Sequence, residues 1–200
     1  MAYESVKVRE IVDRAVSHVW SIPEFQRGFV WKPRQVKDLI ESLWQQYPVG
    51  TLLLWNSGKP AEAQKAADEP RPSLWVVDGQ QRTTALSILS GRKPYWWDSA
   101  SDWNRILEKY DIRFDVHTKE PPYFLIASAA IKATKSNRYI PVKDLLALDT
   151  ARDADQKKLQ QLAKAIKAEG LCDGMDAMEV YTRLDRIRKI RDSELVVITI

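Results

Sequence analysis

Two short apolar runs, residues 51–55 and 74–77, most constrain how this chain can fold, since turn residues and helical patterns surround both. Short continuous apolar runs with such boundaries are typical of strands buried on both faces. We therefore predict two buried strands, with residues 56–73 forming a polar surface loop between them. A polar segment, residues 78–82, directly follows the second strand.

Helical periodicity accompanies both runs. Apolar residues recur at helical spacing from Val36 to Tyr47, after a proline that suits the first helical turn. Residues 83–90 predict a second helix, closed by Gly91. The alternation of helices and strands predicts a mixed α/β fold. Further strands are predicted at residues 111–116 and 123–127.

The pattern changes after Asp149. Two amphipathic helices are predicted at residues 156–169 and 178–190, and an apolar strand follows at 193–200. Because an apolar strand needs neighbours to cover it, we expect this sequence to be truncated from a longer chain. The predicted organisation is a core over residues 1–148 and a helical extension, ending in a strand, over 149–200.

Composition excludes several classes of protein. No run reaches the roughly 18 apolar residues of a membrane span, and the N-terminus lacks a signal-peptide core, so we expect a cytoplasmic protein without a membrane partner. With one cysteine, Cys172, and two histidines, His18 and His117, the chain excludes disulfides, thiolate zinc sites and HExxH sites. Its net charge of +4 permits a polyanionic partner without requiring one.

The segment Asp-Gly-Gln-Gln-Arg at residues 78–82 carries the first candidate site. A strand followed by a glycine turn and a helix start presents unpaired backbone amides to an anion. Gly79 would allow close approach, Arg82 adds a charged donor fork and Thr83 adds a hydroxyl. Asp78 could hold Mg²⁺ or a water beside a bound phosphate.

Spacing alone favours a simpler interpretation of the same segment. Asp78 would cap the helix, while Gln80, Gln81 and Arg82 would be solvated residues of its first turn. No GxxxxGK[ST] loop accompanies the segment.

A second Gln-Arg pair, Gln26 and Arg27, lies among aromatic residues before a predicted helix start. Arg27 could reach the same anion from the opposite side, with Phe25, Phe29 or Trp31 stacking on a base or lining the pocket. The alternative is an apolar anchor segment in which Arg27 pairs with a surface carboxylate.

Two further features have both a structural and a functional interpretation. Trp96 and Trp97 could stack on bases or sugars, although core packing is the commoner role of tryptophan. The basic run at residues 183–191 could contact nucleic acid, or it could form a solvated helix face.

Four sequence blocks together resemble one known family. Residues 22–31, 35–43, 47–55 and 77–83, in this order, resemble the N-terminal domain of GmrSD-type modification-dependent (type IV) restriction enzymes, which the phage-defence proteins SspE and BrxU share. The similarity runs from about Val6 to the end of the sequence.

The resemblance implies a ParB/sulfiredoxin-like core in which the 78–82 loop binds or hydrolyses a nucleoside triphosphate with Mg²⁺. It assigns catalysis to Asp78, Gln80, Gln81 and Arg82, with tentative metal binding by Asp78. The nucleotide-binding set that it implies is Gly79, Arg82, Thr83, Gln26 and Arg27.

The resemblance also implies partners: modified DNA, an HNH-type nuclease domain in cis or in a partner subunit, and a possible homodimer. The sequence itself carries no His-rich nuclease motif. Two alternatives to nucleotide hydrolysis remain open. The chain could be a binding module that senses modified DNA, or it could be a ParB-like DNase.

Overall fold

The computed structural model describes residues 1–57, 74–97, 100–134, 136–172 and 174–200, and it confirms a mixed α/β fold with two sheets. Most of the loop predicted at 56–73 lies outside these ranges. The strands are β1 (Ala2–Lys7), β2 (Trp20–Ser21), β3 (Leu52–Asn56), β4 (Leu74–Asp78), β5 (Ile112–Asp115), β6 (Phe124–Ile126), β7 (Tyr139–Pro141) and β8 (Glu194–Thr199). The helices are α1 (Val8–Val16), α2 (Pro33–Trp44), α3 (Gln80–Leu89), α4 (Ala100–Lys109), α5 (Ala129–Ala133), α6 (Val142–Leu146), α7 (Asp153–Ala168), α8 (Ala177–Arg188) and the 3₁₀ helix η1 (Lys189–Asp192).

The larger sheet has the strand order β1-β8-β3-β4-β2. Strand β8 pairs antiparallel with β1 and parallel with β3, while β4 pairs antiparallel with β3 and parallel with β2. The strand predicted at the end of the helical extension therefore lies inside this sheet. The division at residue 148 stays a prediction, although β8 joins both predicted parts through backbone hydrogen bonds.

The prediction that β3 and β4 are buried on both faces is wrong. On one face of β3, Leu52 and Leu54 are fully buried. On the opposite face, Trp55 is 47% exposed. In β4, Val76 is buried and Val77 is exposed. The buried residues belong to the same apolar core as α1 and α3. The sheet therefore buries one face, although its sequence lacks the usual apolar and polar alternation.

The smaller sheet, β6-β5-β7, is antiparallel and fixes the position of α2. The Trp44 ring at the end of α2 lies 5.6 Å from that of Phe114 and 6.0 Å from that of Phe124. Glu41 accepts hydrogen bonds from the amides of Tyr123 and Phe124 at 3.1 and 3.3 Å. Helix α2 is thereby held at its C-terminal half, which places the loop that precedes it.

The predicted helices after residue 149 are confirmed as α7 and α8, and three arginines of the basic run make specific contacts within the fold. Arg183 donates to two backbone carbonyls just after β5. Arg186 donates to the Trp44 carbonyl at 2.6 Å and stacks on the Trp44 ring at 4.3 Å. Arg188 is buried against Asp185. Arg183 and Arg186 thus join α8 to other segments, and Arg188 does so through the Asp149 carbonyl at 3.4 Å. Arg188 is buried, whereas Arg186 remains exposed to solvent.

None of the helices in the described ranges is long and apolar enough to cross a membrane.

The two cations on Asp185 make a matched pair for a stability test. Arg188 is 3% exposed, while Lys189 is 65% exposed and reaches the other carboxylate oxygen at 2.7 Å. Arg188→Met removes a buried, charge-assisted hydrogen bond while Lys189 still pairs with Asp185, so it is expected to lower the free energy of unfolding by about 2 kcal/mol. Lys189→Met is expected to cost less than about 1 kcal/mol. Urea denaturation measures both, and equal effects would contradict this description of α8.

Candidate functional site

The two Gln-Arg segments meet because β2 and β4 are parallel neighbours. Trp20 pairs with Leu74 and Ser21 with Trp75, so both strands end at the same edge of the sheet. The first segment continues from β2 as the loop 22–32, and the second continues from β4 into α3. The carboxyl ends of parallel strands are the usual place for ligand sites in open α/β sheets.

Three glutamine side chains hold the 22–32 loop against β4 and α3. The Gln26 amide nitrogen donates to the carbonyls of Val76 and Val77 at 3.1 and 2.8 Å. The Gln80 amide nitrogen donates to the Arg27 carbonyl at 2.8 Å. Each bond fixes the orientation of a side-chain amide, because only its nitrogen can donate to a carbonyl.

Gln81 uses both ends of its side-chain amide on the same loop. Its oxygen accepts from the backbone amides of Val30 and Trp31 at 2.9 and 3.3 Å, and its nitrogen donates to the Gly28 carbonyl at 3.1 Å. One side chain on α3 therefore fixes three positions, at residues 28, 30 and 31, of the loop that carries Arg27.

Arg82 joins a third segment to the site. Its guanidinium donates to the Val49 carbonyl at 2.9 Å and to an Asp78 carboxylate oxygen at 3.0 Å. A Cβ on Gly50 would lie 2.5 Å from the Arg82 Nη1, and the φ of Gly50 is +84°. The backbone between α2 and β3 can approach Arg82 this closely only because residue 50 is glycine.

The N-cap of α3 is Gly79, with φ +96°, and no side chain caps the helix. The interpretation of Asp78 as the helix cap is therefore wrong, because its carboxylate pairs with Arg82. The first hydrogen bond of the helix runs from the Thr83 amide to the Gly79 carbonyl. The amides of Gln80, Gln81 and Arg82 precede it and have no intrahelical acceptor.

These segments enclose a cleft of about 470 Å³ at the start of α3. Arg27 is exposed, and its guanidinium makes no hydrogen bond or ion pair with any residue in the described ranges. The Asp78 side chain is 71% exposed and that of Arg82 is 16% exposed. Two arginines, one carboxylate and the positive end of a helix give the cleft a net positive character. Its lining consists of Gln26, Arg27, Trp31, Val77, Asp78, Gly79, Gln80, Gln81 and Arg82.

Three predicted residues lie elsewhere. Thr83 is fully buried and donates to the Gly79 carbonyl at 3.1 Å, so its hydroxyl lies behind the cleft. Phe25 is 86% exposed and lines no part of the cleft. Phe29 lines a second, adjoining cleft instead.

The buried side chain of Tyr110 holds the backbone of Trp31 in place. The Tyr110 hydroxyl donates to the Trp31 carbonyl at 2.6 Å. Burial raises the pKa of Tyr110, which keeps the hydroxyl protonated and able to donate.

The remaining sequence candidates have structural surroundings. His18 stacks on Tyr95 with ring centroids 3.3 Å apart, and His117 Nδ1 lies 3.0 Å from the Leu171 carbonyl. Cys172 is buried. No group of three or more histidine, cysteine or acidic residues in the described ranges is arranged to hold a metal ion. Among the residues that line the cleft, Asp78 is the one with a carboxylate.

Two features of the site were not predicted from the sequence: the second cleft and the close approach of the backbone at Gly50 to Arg82. The signal for Gly50 was its place in the block 47–55, directly before β3. The second cleft joins residues 22–29 to residues 80–102, a combination that no local pattern reveals.

The chain is thus a mixed α/β protein with a cationic cleft where two parallel strands end. The sequence matches the family described as the GmrSD restriction endonuclease, N-terminal domain, over residues 8–196. The chain belongs to this family, which confirms the resemblance found in the sequence.

A curated relative covers part of the chain. It is the uncharacterized protein MJ0686 of Methanocaldococcus jannaschii, which is 30% identical over 98 residues. The match covers 43% of this chain and 17% of that protein.

Gly50 and Gly28 provide a test of how the cleft is built. A Cβ at Gly50 needs an unfavourable φ and collides with Arg82, whereas a Cβ at Gly28 meets nothing within 4 Å. Gly50→Ala is expected to cost at least about 1–2 kcal/mol of unfolding free energy. Gly28→Ala is expected to stay within about 0.5 kcal/mol. Thermal denaturation checks both; a neutral Gly50→Ala would show that Arg82 is not held against this turn.

Proposed function

We propose that this chain is a nucleotide-binding and nucleotide-hydrolysing module of a modification-dependent restriction or anti-phage defence protein. The observation that carries the proposal is that the Arg27 guanidinium, which has no partner among the described residues, shares a cleft with the first amides of α3, which have no intrahelical acceptor. Membership of the restriction-enzyme family supports it.

The cleft suits phosphate groups in three ways. Backbone amides at a helix N-terminus donate to phosphate oxygens and add the favourable end of the helix dipole. Arginine guanidinium groups match phosphate geometry with paired N–H donors. Gly79 removes the Cβ that would otherwise meet the Leu52 side chain, so the backbone can turn at the mouth of the helix.

Asp78 fits the requirements for holding Mg²⁺ beside those phosphates. Its carboxylate is exposed in the cleft, and only one of its oxygens accepts from Arg82. When bound, Mg²⁺ would neutralise charge on the phosphate oxygens. Gln80 keeps its side-chain oxygen for orienting a water, because only its nitrogen is bonded to the loop. Gln81 has both amide atoms engaged by the loop, so its proposed part is positional.

Arg27 is a cleaner probe of phosphate binding than Arg82, whose guanidinium also holds the backbone at Val49. Loss of a charge-assisted bond predicts that Arg27→Ala weakens triphosphate binding about tenfold or more. Arg34→Ala is the control, since Arg34 is 85% exposed and lines no part of the cleft. Isothermal titration with each nucleoside triphosphate and Mg²⁺ checks the prediction; equal affinities for both variants would refute it.

Asp78→Asn tests the proposed metal site separately. Asparagine retains an oxygen that accepts from Arg82 but loses the charge that attracts Mg²⁺. We expect the nucleotide affinity of this variant to become independent of Mg²⁺, and phosphate release to fall about a hundredfold or more. Asp38→Asn, at an exposed carboxylate of α2, should change neither quantity. A Mg²⁺ dependence that survives in Asp78→Asn would contradict the assignment.

Nucleotide turnover in this module would regulate a DNA endonuclease. We propose that the cutting is done by an HNH-type nuclease domain, in cis or in a partner subunit, and that modified DNA is the substrate. The family description supports a link to a restriction endonuclease.

A second candidate function is sensing of modified DNA without hydrolysis. The observation in its favour is Phe25, an 86% exposed aromatic side chain two residues from Arg27. An exposed ring beside a cation is suited to stacking on a base next to a contacted phosphate. This candidate predicts tighter binding of modified than of plain duplex at one salt concentration. Equal binding of both duplexes, together with measurable phosphate release, would favour the nucleotide-hydrolysing module.

A further inference from the structure

A second cleft, of about 530 Å³, adjoins the first at the loop 22–32. Gln26 and Gln80 line both clefts, so the two spaces meet at these residues. The second cleft continues towards the aromatic segment at residues 96–97. Both volumes fall within the range typical of small-molecule sites.

Three aromatic rings line the second cleft: Phe29, Trp96 and Trp97. Trp97 packs edge-on against Trp103 with ring centroids 5.3 Å apart, and Phe29 lies 6.4 Å from Trp97. These two rings are therefore placed by the core and are half-buried at the cleft. Rings held in this way form a rigid apolar wall.

Trp96 lies outside the apolar core and is held differently. Its indole N–H donates to the Thr84 hydroxyl at 3.3 Å, and the side chain is half-buried. This hydrogen bond engages the edge of the ring, and the side chain lines the cleft. Every nucleobase has a planar face, and stacking on tryptophan tolerates all of them.

The two clefts have opposite electrostatic character. The first contains Arg27 and Arg82 with one carboxylate, Asp78. The second is lined by the carboxylates Glu24 and Asp102, of which Asp102 pairs with the exposed Arg105 at 3.5 Å. Carboxylates repel phosphate but accept hydrogen bonds from the N–H groups of a base. A ligand with an anionic end and an aromatic, hydrogen-bond-donating end would therefore bind in one orientation only.

Gln26 provides an acceptor where the clefts meet. Because its nitrogen donates to two carbonyls of β4, its oxygen remains available as an acceptor. In a nucleotide, the group between phosphate and base is the ribose, whose hydroxyls are hydrogen-bond donors. The order phosphate, ribose and base thus matches the order of the first cleft, Gln26 and the second cleft.

We propose that the second cleft binds the base of a ribonucleoside triphosphate, with the ribose at Gln26 and the phosphates in the first cleft. Since this extends the proposed function, the test must separate failure of the base site from failure of the phosphate site. Inorganic tripolyphosphate does so, because it carries the phosphates without ribose or base.

The experiment is isothermal titration, in Mg²⁺, of the chain with tripolyphosphate, with the four ribonucleoside triphosphates and with their 2′-deoxy forms. The best ribonucleoside triphosphate is expected to bind about five- to hundredfold tighter than tripolyphosphate, as stacking on aromatic rings predicts. Its 2′-deoxy form should bind about two- to tenfold more weakly than the ribonucleotide, since one neutral hydrogen bond is lost.

The variant Trp96→Leu removes the ring while keeping an apolar side chain. It should weaken nucleotide binding about fivefold or more, towards the affinity for tripolyphosphate, and leave tripolyphosphate binding unchanged, which also shows that the variant is folded. Trp55→Leu is the matched control, because Trp55 is exposed on β3 and lines neither cleft.

Three results would overturn the proposal. If ribonucleotides and tripolyphosphate bind wild type equally, the base makes no contact, and the phosphate site alone stands. If Trp96→Leu retains folded secondary structure by circular dichroism and binds nucleotide as wild type does, the base lies elsewhere. If neither tripolyphosphate nor any nucleotide binds wild type, the proposed function fails together with this extension of it.

Discussion

The contact between Gln81 and the 22–32 loop is the interaction on which the candidate site depends. Two amides donate to its oxygen and one carbonyl accepts from its nitrogen. A carboxamide is required, because a carboxylate could not donate to the Gly28 carbonyl and a hydroxyl could not span the loop. Among the described residues, Gln81 is the α3 side chain that hydrogen-bonds Val30 and Trp31. Without it, Arg27 would keep the bond from Gln80 to its carbonyl, but the loop that follows Arg27 would lose its hydrogen bonds to α3.

Two close backbone approaches complete the construction. Gly79 starts α3 in a left-handed conformation that leaves the first amides open, and Gly50 lets the turn before β3 reach Arg82. The Asp78 carboxylate is 71% exposed, so its ion pair with Arg82 contributes little stability by itself. The ion pair instead fixes the position of the Asp78 carboxylate beside the N-terminus of α3. A cationic cleft and an acidic, aromatic cleft then meet at Gln26 and Gln80.

Much of the fold could be predicted from local pattern. Helix α2, strands β3 and β4, and helices α7 and α8 follow from apolar periodicity, and the mixed α/β class follows from their order. Strand β1 was missed because four of its six residues are exposed, so its sequence lacks an alternating apolar face. The one-sided burial of β3 was also hidden, because Leu53 and Trp55 are apolar on the face away from the core.

The site was predictable in its parts and less so in its arrangement. Both Gln-Arg segments stood out, and parallel pairing of β2 with β4 brings them together. The structural use of the glutamines was not visible, because their partners are backbone atoms about fifty residues away. Arg183 and Arg186 illustrate the same limit: their acceptors are the carbonyls of Val116 and Trp44, which are distant in sequence and which no helical charge pattern can indicate.

The central claim is that the start of α3 and Arg27 together bind the phosphates of a nucleotide. A crystal structure of the chain with a non-hydrolysable nucleoside triphosphate and Mg²⁺ tests it most directly. We predict phosphate oxygens within hydrogen-bond distance of the Gln80 and Gln81 backbone amides and of the Arg27 guanidinium, with Mg²⁺ on Asp78. A nucleotide bound elsewhere, or one whose phosphates avoid the α3 amides, would contradict the claim.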